Sequence, residues 1–101
     1  MAKNFFVMTG AVTQADSVAV GAVSVTFPNI VAMAADQYYV YTANVASWIK
    51  QGATPTASAA AGSMFVPANT PVYIDGAYGV QLAVIQDSTG GKASLVRVKA
   101  V

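Results

Sequence analysis

Gln37-Tyr38-Tyr39-Val40-Tyr41-Thr42-Ala43 reads as a β-strand, and that reading decides the fold class. Tyr, Val and Thr suit a pleated, half-buried surface. The two-residue period puts Tyr39 and Tyr41 on one face and Tyr38, Val40 and Thr42 on the other. Asn44 supplies a turn, and residues 46–50 resume the pattern, with Ser47 and Ile49 opposite Trp48 and Lys50. The same alternation of strand and turn chemistry continues outward. Residues 64–66, 71–74, 79–85 and 93–99 read as strands, punctuated by Pro67-Ala68-Asn69, Asp75-Gly76 and Asp87-Ser88-Thr89-Gly90-Gly91. On the other side lie residues 4–9, 17–20 and 22–27, the last two forming a strand pair with a phase slip, read as a bulge, at Gly21-Ala22. The short strands recur about every ten residues, the pattern of a sandwich or jelly roll. The expectation is an all-β chain, an antiparallel β-sandwich or jelly roll of about eight short strands. A single domain spans residues 1–101, with 1–16 as an N-terminal arm or edge strand.

Three stretches carry some signal for helix. Residues 17–35 carry no charge for 19 residues, long enough to span a membrane. Their near-two period and the Pro28-Asn29 break favour strands instead. Residues 30–35 are rich in Ala and Met but too few to hold a helix unaided. Residues 51–63 are a Gly/Thr/Ser/Ala tract containing Pro55 and read as a loop. The basic-then-apolar start resembles a secretory leader, but Thr9 and Gly10 interrupt it and no small-residue cleavage site follows.

Composition narrows the chemistry. The 101 residues are 55% hydrophobic and 9% charged, with 20 Ala, 16 Val and only two Leu, and with no Cys, His or Glu. Thiol nucleophiles, disulfides, Cys/His zinc sites and His-based triads are therefore excluded. The scarcity of Leu argues against helical bundles. A net charge of +1 argues against nucleic-acid and acidic-membrane partners. Asp75 and Asp87 sit at Gly-containing turns, where Asp bonds local backbone, and Asp16 and Asp36 read as polar punctuation before apolar runs. Gly90-Gly91-Lys92 imitates the end of a phosphate loop. Position 86 is Gln and position 93 is Ala, so it lacks the leading Gly and the Mg²⁺-binding hydroxyl. A hairpin turn explains it better. Arg97 and Lys99 alternate with Val96 and Val98 as a solvent face would. No catalytic residue, metal ligand or cofactor is assigned.

The aromatic set Phe5, Phe6, Tyr38, Tyr39, Tyr41, Trp48, Tyr73 and Tyr78 is the group with most to offer. Most of it is expected in the core. Yet Phe5–Phe6 and Tyr38–Tyr39 are adjacent pairs whose members point to opposite faces, so one of each pair looks away from a single core. Phe5, Phe6, Tyr38, Tyr39, Tyr41 and Trp48 are the interface candidates. Nine charged residues cannot cover the outside, and such a surface belongs in an assembly.

Residues 39–52, then Thr54-Pro55-Thr56-Ala57, then Gly62-Ser63-Met64-Phe65-Val66-Pro67-Ala68-Asn69, resemble small tailed-bacteriophage virion proteins. Leu82-Ala83-Val84-Ile85-Gln86-Asp87 and Gly91-Lys92-Ala93-Ser94-Leu95 look similar too. The match runs over residues 37–98 and is mostly turn chemistry. Asn69 stands where Gly is usual, but Asn also tolerates positive φ. The resemblance implies a non-enzymatic virion component: a capsid decoration (cement) protein, or a neck, tail or fibre-base module. Its partners would be the major capsid protein or other virion subunits and its own copies, as a dimer or trimer. It would be made in the host cytoplasm and located in the virion. The alternative of another class is a carbohydrate-binding jelly roll that stacks sugars on Trp48 or a Tyr.

Overall fold

The computed structural model describes residues 6–8, 15–60 and 62–100, and among them the chain is all-β. The strands are β1 (Phe6–Met8), β2 (Ala15–Val20), β3 (Val25–Thr26), β4 (Tyr38–Ala43), β5 (Ser47–Gly52), β6 (Met64–Val66), β7 (Val72–Asp75), β8 (Gln81–Gln86) and β9 (Gly91–Ala100), with one 3₁₀ turn at Gly76–Tyr78. They form two antiparallel sheets. In the first, β9 pairs with β4, β4 with β7, and both β1 and β2 lie along the other edge of β9. In the second the order is β3-β8-β5-β6. The inner faces of the two sheets meet as a small β-sandwich.

The parity read from residues 37–43 holds. Tyr39, Tyr41 and Ala43 are buried, while Tyr38 is exposed and Val40 and Thr42 are half-buried. Across the ladder, Tyr41 faces Leu95 and Ala43 faces Ala93, all four pointing inward. From the second sheet Ile49, Val66, Leu82 and Val84 complete the core. The Tyr41 hydroxyl and Ser47 Oγ, both fully buried, share a 2.6 Å hydrogen bond that ties β4 of one sheet to β5 of the other. Phe27 packs edge-on to the Tyr41 ring, with centroids 6.2 Å apart.

Several expectations need correction. The slip at Gly21 is not a bulge: β2 ends in the first sheet and β3 begins in the second, so residues 21–24 cross between sheets. The turn at residues 87–90 is not a hairpin, because it carries the chain from β8 in one sheet to β9 in the other. Along β9 it is Ala93 and Leu95 that point inward. Arg97 therefore shares their parity, half-buried opposite Tyr39, while Val96 and Val98 take the other one, Val96 half-buried and Val98 buried at 7% exposure. Residues 30–35, which the sequence left ambiguous, form no helix, in keeping with a run too short to hold one unaided. Their backbone donors bond elsewhere, Ile30 N–H to Asp16, Met33 N–H to the Val80 carbonyl and Ala34 N–H to the Tyr39 hydroxyl. Ile30 and Met33 of this segment, and Phe27 just before it, are buried in the core. Tertiary partners override the high helix propensity of Ala in so short a run.

Asp16 is structural rather than punctuation. It lies on the inward parity of β2, opposite Leu95, and is 7% exposed. Its Oδ1 accepts from Ser17 N–H at 2.8 Å and Asn29 Nδ2 at 3.1 Å. Its Oδ2 accepts from Asn29 N–H at 2.7 Å and Ile30 N–H at 3.1 Å. The four donors match the roughly four lone-pair sites of a carboxylate. Gly76 fits a second tight approach, since a Cβ there would run into the Ala34 carbonyl oxygen.

Asp16→Asn puts an amide N–H against backbone donors, and should lower stability by about 1–3 kcal/mol. Urea unfolding followed by circular dichroism would show a lower midpoint at unchanged slope. Burial pushes the Tyr41 hydroxyl above its usual 10.0, with the Ser47 hydrogen bond drawing it partly back. The unfolded tyrosine ionises first, so this contribution to stability is intact below pH 10.0 and falls as pH rises from there through the folded value. Tyr41→Phe should flatten this alkaline loss, measured as unfolding free energy against pH, while lowering stability at neutral pH.

Candidate interaction surfaces

The six interface candidates part company. Tyr39 and Tyr41 are 1% and 0% exposed, so they are core residues and not contact residues. The inward parity of β4 puts them there, and their hydroxyls are taken by Ala34 N–H and Ser47. Tyr38 stands on the outer face of the first sheet, 42% exposed. Trp48 is half-buried on the outer face of the second. The backbone of Phe6 belongs to β1, paired to Ala100 along the edge of β9. Phe5 and the Phe6 side chain lie outside the described residues. Sequence reasoning passed over Phe65, Met64, Tyr73 and Tyr78 as contact residues, although all four are exposed. Phe65 and Tyr73 sit in Met64-Phe65-Val66 and Val72-Tyr73-Ile74, where every residue is apolar and the parity cannot be read.

Register assembles the outer face of the first sheet. Ala15 faces Val96, Val96 faces Val40, and Val40 faces Tyr73, an apolar row crossing four strands. Beside it on one side lie Tyr38 and Val98, and on the other Ser17, Ser94 and Thr42. Lys92 and Asp75 are the charges on this face, at separate ends of the ladder. The outer face of the second sheet carries the row Phe65–Trp48–Ile85. The Trp48 and Phe65 rings meet edge-on, with centroids 5.3 Å apart, and the indole N–H donates to the Asp87 carboxylate at 2.9 Å. The loop after β5 reaches back to the far edge of this sheet, where Ala57 N–H donates to Ser24 Oγ.

A cleft of about 370 Å³ opens between the sheets on the side where β6 and β7 are the edge strands. β5 contributes Ile49, Lys50 and Gln51, and β7 contributes Val72 to Asp75, with Met64, Tyr78 and Leu82 completing the lining. Asp75 Oδ1 accepts from Ala77 N–H at 2.9 Å and caps the 3₁₀ turn that carries Tyr78. Gly79 ends that turn at φ 155°, and a Cβ there would sit 2.6 Å from Gly52 Cα. Asn69 has φ 58°, the positive φ expected for the turn between β6 and β7.

Three carboxylates thus hold local structure: Asp16 a loop, Asp75 a turn and Asp87 an indole. Among the described residues no three of His, Cys, Asp and Glu gather into a metal-binding group. No protein-family model, curated protein or solved structure matches the chain.

Trp48→Phe and Asp87→Ala should each cost about 1 kcal/mol of stability, the worth of one hydrogen bond to a charged partner near the surface. The double variant should cost little more than either, because both remove the same bond. Chemical unfolding of the four proteins measures the coupling.

Proposed function

We propose that this chain is a structural subunit of a bacteriophage virion, a decoration protein that binds the assembled head and stabilises it through apolar contacts. The observation that carries the reading is the outer face of the first sheet. Its row Ala15–Val96–Val40–Tyr73, flanked by Tyr38, gives an apolar strip across four strands. A monomer gains nothing from such a strip, whereas a subunit interface does. The likeness of residues 37–98 to small virion proteins supports the same reading. A neck, tail or fibre-base position would use the same surface.

We also infer that the sandwich is a jelly roll. β2 pairs with β9, β3 with β8, β4 with β7 and β5 with β6, all antiparallel. These nested pairs are what one long hairpin makes when it wraps into two sheets. Jelly rolls serve viral capsids and lectins alike, so the fold supports the virion reading without selecting it.

A protein that binds the assembled shell and not its free subunits stabilises the shell by mass action. Heads of a phage deleted for this gene supply the test. Purified protein should co-sediment with them and raise the temperature at which they release DNA. Tyr38→Asp should keep the fold and abolish both effects. A monomer with no affinity for the heads or for any other virion part would refute the proposal.

A further inference from the structure

We propose that the cleft between β6 and β7 binds a small, uncharged aromatic molecule carrying one hydrogen-bond donor, of the phenol or indole class. The observation that carries this is the exposure of Met64. Register pairs Met64 with Ile49, which is 3% exposed in the core, so Met64 takes the inward parity. Val66 has the same parity on the same strand and is fully buried, yet Met64 is 48% exposed. An inward-facing side chain left so open has no group filling the space between it and the facing sheet. That space is the cleft, and its volume of about 370 Å³ falls within the range of small-molecule sites.

Register also fixes which side chains look into it. On β7, Val72 faces Tyr41 and Ile74 faces Tyr39, both core rings, so these two turn inward from the first sheet. Ile49, Met64 and Leu82 turn inward from the second. Lys50, Tyr73 and Asp75 border the cleft on the alternate parity, so their side chains belong to the outer faces. The interior is therefore apolar, with one polar group on the inward parity, Gln51. Its Nε2 donates to the Asp75 carbonyl at 2.8 Å and to the Gly79 carbonyl at 3.0 Å. Both amide hydrogens are thereby used, and Oε1 is left to accept from a ligand. The same bonds tie β5 of one sheet to the end of β7 in the other, so the cleft is held open at a set width. Such preorganisation lowers the entropic cost of binding.

This lining selects the ligand class. An ion entering would lose its hydration to apolar walls that offer nothing in return. A sugar would leave most of its hydroxyls unmet, and a saturated hydrocarbon would leave Gln51 Oε1 without a donor. A phenol or indole lays an apolar ring between Met64 and Val72 and gives its single O–H or N–H to Gln51. The Met64 thioether and the Tyr78 ring, which also lines the cleft, are favourable neighbours for an aromatic.

The test is a titration of the ¹⁵N-labelled full chain with phenol, indole and toluene, followed by two-dimensional NMR. Phenol and indole should shift the amides of residues 49, 51, 64, 72, 74, 78 and 82, with dissociation constants on the order of 1 mM or tighter. Met64→Trp fills the cleft from an exposed position, so its thermal melt should match the parent while both ligands bind roughly tenfold more weakly or worse. Phenol and toluene have nearly the same shape, but only phenol donates. Gln51→Met should therefore weaken phenol roughly threefold more than toluene, the worth of one neutral hydrogen bond. A purely structural role of Gln51 in holding the turn would weaken both alike. No response to phenol or indole overturns the proposal, as does undiminished binding by Met64→Trp. Equal losses of phenol and toluene in Gln51→Met remove the donor requirement and overturn it too. A response at the same amides to an alternating Val/Thr pentapeptide, with none to the aromatics, would make the cleft a strand-docking groove and likewise overturn it.

Discussion

The buried hydrogen bond between Tyr41 and Ser47 is the constraint on which the rest of this sandwich depends. A core drawn mainly from Ala and Val, with two Leu in the whole chain, needs large side chains to fill the gap between sheets. Tyr39, Tyr41 and Phe27 are the largest fully buried side chains. Two of the three bring a hydroxyl into apolar surroundings, where an unmet polar group costs about 1–3 kcal/mol. Ser47 meets one hydroxyl from the opposite sheet and Ala34 N–H meets the other from the β3–β4 connection. These partners also fix relative positions: the first sets β4 against β5, and the second draws residues 30–34 over the core. Small residues then follow from geometry, since Ala43 faces Ala93 where the sheets carry no ring.

What could be read from the sequence depended on whether neighbouring residues differed in kind. In residues 37–43 the alternation of Tyr39, Tyr41 and Ala43 with Tyr38, Val40 and Thr42 gave the two faces, though either set could have been the buried one. In residues 64–66 and 72–74 all three are apolar, and the exposed Phe65 and Tyr73 could not be told from their buried neighbours. Crossings between sheets were hidden for another reason. A slip of period, as at Gly21, looks the same whether the chain bulges or leaves for the other sheet, and the difference is tertiary. The role of Asp16 was hidden most completely, because three of its four donors come from Asn29 and Ile30, more than a dozen residues away.

The poverty of charge has a consequence for the surface. Both sheets keep apolar rows on their outer faces, Ala15–Val96–Val40–Tyr73 on one and Phe65–Trp48–Ile85 on the other. Alternation normally makes the outer face of such a sandwich polar. Here the residues facing outward are built from the same vocabulary as those facing inward. On the proposed reading this is economy of purpose: a subunit that lives against its neighbours needs an outer face that behaves like a core cut in half.

The outer faces and the cleft occupy different directions of the sandwich. Burying either face against a shell covers β-sheet surface, whereas the cleft opens between the sheets, along the β6–β7 side. A docked subunit can therefore keep the cleft open to solvent. Tyr73 lies at the boundary between them, on the outer face at the end of the apolar row and beside the cleft.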